Sequence, residues 1–130
     1  MAFQSPTKQS KSSHVISPEY YAAVAAKIEA ECFPEEWASQ VKTVIRVMVD
    51  VFLTPDSDRV RISKIWHDFA EVKEAYKNLT HEDIHNVIQK IIEEGYRPVR
   101  IEPYYRAALF NEARESACRT ELALLRDGLL

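Results

Sequence analysis

Two glycines in a chain of 130 residues, Gly95 and Gly128, leave almost no position where the backbone can turn left without a side-chain penalty. A glycine-rich phosphate loop is therefore excluded, and the tight hairpin turns that favour Asn-Gly or Gly-X are scarce. Nucleotide-binding and all-β architectures fall away on this ground, and a helical chain is the expectation.

The 46% hydrophobic and 28% charged residues suit one core in one domain. Seventeen Lys and Arg against twenty Asp and Glu give a net charge of -3, so no overall basic field exists to hold nucleic acid or an anionic membrane. Any such binding must come from a local patch. Cys32 and Cys118 lie far apart and outside any C-x-x-C pair, which is neither a disulfide framework nor half of a zinc cluster. The expected setting is reducing, intracellular and cytoplasmic. Residues 1–14 are rich in Ser, Lys, Gln and Thr and read as a flexible tail, with residues 15–130 as a single helical domain. The most apolar stretch, Val41 to Leu53, is too short for a membrane span and carries Lys42, Arg46 and Asp50, so no membrane partner is expected.

Ser17 followed by Pro18 and Glu19 predicts a helix start, running to about Glu31. A second helix is expected from Pro34, with Val41, Val44, Ile45, Met48, Val49 and Phe52 at spacings of three and four. Its later turns are apolar nearly all round, which marks it as the element the others pack around. Ser63 is read as the cap of a third helix with Ile65, Trp66, Phe69, Val72 and Tyr76 on its apolar stripe. Thr80 with Asp83 resembles a capping box for a fourth, whose Ile84, Val87, Ile88 and Ile91 repeat until Gly95 supplies a left-handed terminus. Tyr104 to Arg126 is expected as a long final helix with a thin, alanine-rich stripe of the kind that packs on a partner or on another copy.

Two short runs alternate charged and β-branched residues: Arg59-Val60-Arg61-Ile62, and Arg97-Pro98-Val99-Arg100-Ile101-Glu102. Pairing them gives a mainly α fold of about five helices with a small two-stranded ribbon, in the order helix, helix, strand, helix, helix, strand, helix. With Val60, Ile62, Val99 and Ile101 pointing inward, Arg59, Arg61, Arg97 and Arg100 share the outer face. Arg106 lies nearby in sequence, and Tyr104 and Tyr105 are available for stacking. These seven residues are the expected partner-binding site.

His81-Glu82-Asp83-Ile84-His85 fits H-E-x-x-H, in which two histidines one turn apart hold zinc and the glutamate activates a metal-bound water. A third ligand is not specified, and the capping box at Thr80 accounts for the same residues, so no metal and no cofactor is expected. Tyr20, Tyr21, Trp37 and Trp66 fall at helical spacing among apolar residues and read as core.

The order of elements from Glu35 to Tyr104 resembles a winged-helix domain. The resemblance implies that residues 80–94 take the place of the recognition helix, where Asn86, Gln89 and Lys90 suit contact with nucleic acid. Glu82, Asp83, Glu93 and Glu94 on the same segment would repel phosphate. The expectation is thus a non-enzymatic protein-binding or assembly module, a small helical adaptor or regulator, with another protein or a second copy as partner. A winged-helix-like nucleic-acid-binding regulator is the alternative and a zinc hydrolase the third reading.

Overall fold

The computed structural model describes residues 17–95 and 99–128. It is mainly helical: α1 (Pro18–Lys27), α2 (Ala38–Leu53), α3 (Phe69–Lys77), α4 (His81–Glu94) and α5 (Ile101–Arg126), with strands β1 (Arg59–Ile62) and β2 (Ile65–Asp68). The predicted tail, residues 1–14, and Arg97 lie outside the described residues.

Helix α1 starts as its sequence demands, with the Ser17 hydroxyl accepting the Glu19 backbone N–H at 3.3 Å and Pro18 in the first turn. It stops earlier than expected, because Glu29 adopts a left-handed conformation at φ 55° and two short 3-10 turns carry the chain into α2. Helix α2 is the centre of the molecule: Val41, Val44, Ile45, Val47, Met48, Val49 and Val51 are all buried. Each such side chain stabilises the fold by about 1.5–3 kcal/mol relative to exposure. Helices α1, α3 and α5 pack around α2, and α4 closes the bundle against α5.

The capping box of α4 forms as its sequence predicts, with Asp83 N–H donating to the Thr80 hydroxyl at 3.2 Å and Thr80 N–H donating to the Asp83 carboxylate at 3.0 Å. Gly95 ends the helix at φ 65°. Tyr76 of α3 is fully buried and donates its hydroxyl hydrogen to the Arg106 carbonyl at 2.9 Å, tying α3 to α5. Burial raises the phenol far above its ordinary value.

The ribbon exists, but its second strand lies elsewhere. β1 pairs antiparallel with β2, the segment that follows immediately, in the register Arg59 with Asp68, Val60 with His67, Arg61 with Trp66 and Ile62 with Ile65. The connection is the two-residue loop Ser63-Lys64, with φ 54° and 71°. Two successive positive φ angles are what a primed hairpin turn requires, here without the Asn or Gly that usually supplies them. Helix α3 consequently begins at Phe69 rather than at Ser63. The segment expected as the second strand behaves differently: Val99 is 97% exposed, and the chain is already helical from Ile101. Pro103 permits this, because a first-turn residue has no intrahelical N–H bond to lose. With the hairpin between α2 and α3, and no strand among the described residues after α4, the winged-helix order is not reproduced.

Candidate functional site

Within the hairpin, directly opposed residues share a face. Val60, Ile62 and His67 point toward the core. Ile62 is buried, and the His67 ring packs against Phe110 at 4.8 Å while its Nδ1 donates to the Glu71 carboxylate at 3.0 Å. Val60 packs against the same core. The inner face is thus anchored, which fixes what the outer face presents.

That outer face carries Arg59, Arg61, Trp66 and Asp68. Trp66 is 55% exposed, with the Arg59 guanidinium over its ring at 5.7 Å and Arg61 directly opposite on the neighbouring strand. Arg59 also reaches the Asp68 carboxylate at 3.6 Å. Ile65, opposite Ile62 on the inner face, lies at the loop end beyond the core and is 59% exposed. Among the described residues, neither Arg61 nor Lys64 is in an ion pair. The result is an aromatic plate edged by cations on a rigid two-stranded support.

The seven residues expected to form one site are divided. Arg59 and Arg61 share the outer face as predicted. Arg97 lies outside the described residues. Arg100 is exposed and precedes the first turn of α5, so its grouping with β1 through strand pairing is not observed. Arg106 is half-buried on α5, its carbonyl bound by Tyr76 and its Nε buried. Tyr104 packs against the core, with its hydroxyl donating to the Glu94 carboxylate at 3.4 Å and its ring meeting Tyr105 edge-on at 6.3 Å. Tyr105 is buried, and that burial raises its phenol above the ordinary value. Tyr105 is closed to stacking, and Tyr104 lies half-buried along the groove between α4 and α5.

Trp66 is the residue the sequence reading misplaced. Its spacing to Phe69 and Ala70 matches a helix stripe, and the loop that takes it out of the helix has no glycine to announce it. The available signal is the pair of β-favouring residues Ile65 and Trp66 two residues after the alternating run Arg59–Ile62. Tyr20 also departs from the expectation: it is exposed on α1, whereas Tyr21 and Trp37 pack against the core as predicted.

The H-E-x-x-H residues are engaged in packing. His81 Nδ1 donates to the Ile28 carbonyl at 2.8 Å, and its ring stacks on Phe33 at 4.1 Å. His85 lies 4.7 Å from the Trp37 ring. The pair clamps the 3-10 turns onto the start of α4. Among the described residues, no group of three side chains of metal-ligand type comes together. On the neighbouring face of α4, Asn86, Gln89 and Lys90 line an open groove against α5 whose other walls include Glu82, Glu93, Glu112 and Glu115. That lining is predominantly acidic. No helix among the described residues is long and apolar enough to cross a membrane.

Comparison of the chain with protein families, curated proteins and solved structures finds no match.

Proposed function

We propose that this protein is a non-enzymatic binding module, a small adaptor that docks a protein partner on the outer face of its β-hairpin and uses the second half of α5 for assembly. The observation that carries the reading is Trp66, held more than half exposed between two arginines on a ribbon whose opposite face is locked into the core. Trp and Arg are the side chains over-represented at the energetic centres of protein interfaces, because the rigid indole buries a large area and the planar guanidinium makes several hydrogen bonds from one group. Arg61 and Lys64 bias the surface toward an acidic partner.

The nucleic-acid alternative draws less support. It needs several stacking surfaces and a basic approach, whereas Tyr105 is buried, Tyr104 is half-buried against the core, and Asn86, Gln89 and Lys90 share their groove with acids. The hydrolase reading lacks a third ligand among the described residues.

The test is affinity capture from source-cell extract with the wild type, Trp66→Ala, Arg61→Glu and Leu122→Glu in parallel. The expected result is a protein retained by the wild type and by Leu122→Glu and lost from both hairpin variants. A retained set indifferent to the hairpin variants, or retention abolished by nuclease, would overturn the proposal.

A further inference from the structure

The main chain of β1 points alternately toward β2 and away from it. Just before the strand, the Phe69 N–H donates to the Asp58 carbonyl at 2.8 Å, so the backbone of Asp58 faces its opposite segment. Antiparallel pairing alternates hydrogen-bonded and non-hydrogen-bonded positions. The register therefore turns the backbone groups of Val60 and Ile62 toward β2 and those of Arg59 and Arg61 outward. Both arginines are exposed, and among the described residues nothing bonds to their main-chain N–H or carbonyl groups. The sheet has no third strand there among the described residues. This is an open strand edge, with donors and acceptors repeating every second residue.

We infer that this edge takes an extended, acidic segment of the partner as a third strand. This rests on the reading of the hairpin as a docking surface, and it names the chemistry and the mode of what docks. In strand addition the main-chain bonds supply the attraction and the alternating side chains the selectivity. The two partner residues set opposite Arg59 and Arg61 lie on the outer face, two positions apart. Arg61 is in no ion pair among the described residues, and Arg59 meets Asp68 only at 3.6 Å, so both guanidinium groups have donors left for a carboxylate. The residue between the two acids falls on the inner side, beside half-buried Val60, where an apolar side chain extends the core contact.

Charge excludes the competing occupants of this edge. A second copy paired in register through the same edge sets arginine opposite arginine, and a basic segment meets the same repulsion. The other edge of the ribbon suits an acidic strand less well, because the residues whose main chain faces outward there are Trp66 and Asp68. On β1 the acids are directed away from Asp58, exposed at the entrance to the strand, and toward the loop end that carries Lys64.

The experiment is amide hydrogen exchange of the full chain, read residue by residue by NMR, with short blocked peptides as probes. One alternates Glu and Val, one alternates Lys and Val, and the third is the Glu-Val peptide with its backbone nitrogens methylated. In the free protein the Arg61 amide should exchange faster than those of Val60 and Ile62. The Glu-Val peptide at saturation should slow the Arg61 amide at least about tenfold. The Lys-Val peptide should bind at least about tenfold more weakly, and the methylated peptide should not bind. Arg61→Glu should reverse the order of the two unmethylated peptides. Unchanged exchange at Arg59 and Arg61 with millimolar Glu-Val peptide, equal affinity for the Lys-Val peptide, or binding that survives methylation would overturn the inference. Trp66→Ala should leave the protection of Arg61 in place while it abolishes capture of the partner, so strand addition at the edge and docking at the indole are tested separately.

Discussion

Trp37 and Trp66 occupy opposite surroundings. Trp37 ends the 3-10 turn before α2, half-buried, with Phe33 at 6.3 Å and His85 at 4.7 Å, inside a cluster that also holds His81. Trp66 stands on the outer strand face with one cation over its ring. The sequence around each is similarly suggestive: histidines in a metal-binding pattern near the first in space, arginines beside the second. The difference teaches that an ionisable side chain near an aromatic signals function only where its polar atoms and ring faces remain available. In the Trp37 cluster His81 is engaged by the Phe33 ring and the Ile28 carbonyl and His85 packs on Trp37, whereas on the hairpin Trp66 and Arg61 are presented outward.

The comparison breaks most severely at Phe33. Phe33→Ala removes the buried ring that holds His81, and it should destabilise the protein by about 3 kcal/mol in urea unfolding. Partner binding by the folded fraction should be unchanged. His81→Ala deletes the stack and the bond to Ile28, leaving that carbonyl short of a donor, and should cost about 1–2 kcal/mol. The same cluster should show no rise in the wild-type melting temperature when zinc is added. A zinc-dependent rise would return the histidines to ligand duty.

On the hairpin side the effects on stability should be smaller and of the other sign. Ser63→Asn with Lys64→Gly supplies the residues that tolerate two positive φ angles and should stabilise the fold by about 1 kcal/mol, read as a higher denaturation midpoint with binding retained. Trp66→Ala should shift stability by no more than about 0.5 kcal/mol, as expected for a surface site, while weakening partner capture at least about tenfold. A large stability loss in that variant would place Trp66 with Trp37, as packing.

What the sequence disclosed follows from which signals are local. The α2 core stripe, the Thr80 capping box and the Gly95 terminus are each set within a few residues, and all form as expected. The mainly helical fold with a small ribbon follows from them. The ribbon's second strand was not legible, because its turn is built from Ser63 and Lys64, which carry no turn signal, and because Val99 and Ile101 mimic strand alternation at the entrance to α5. Periodicity gives alternation but not the pairing partner, which is chosen by chain proximity and by which face can be buried. That one ambiguity moved Trp66 from the surface into an expected helix core. It also grouped Arg100 with β1, although Arg59 and Arg61 were placed on the correct face.

Docking of a partner on the outer hairpin face is tested most directly by acrylamide quenching of Trp66 fluorescence in the Trp37→Phe protein, which has no other tryptophan. Strong quenching of the protein alone and marked protection once the captured partner is bound are expected. Equal quenching with and without bound partner would contradict docking on this face and assign it to another surface.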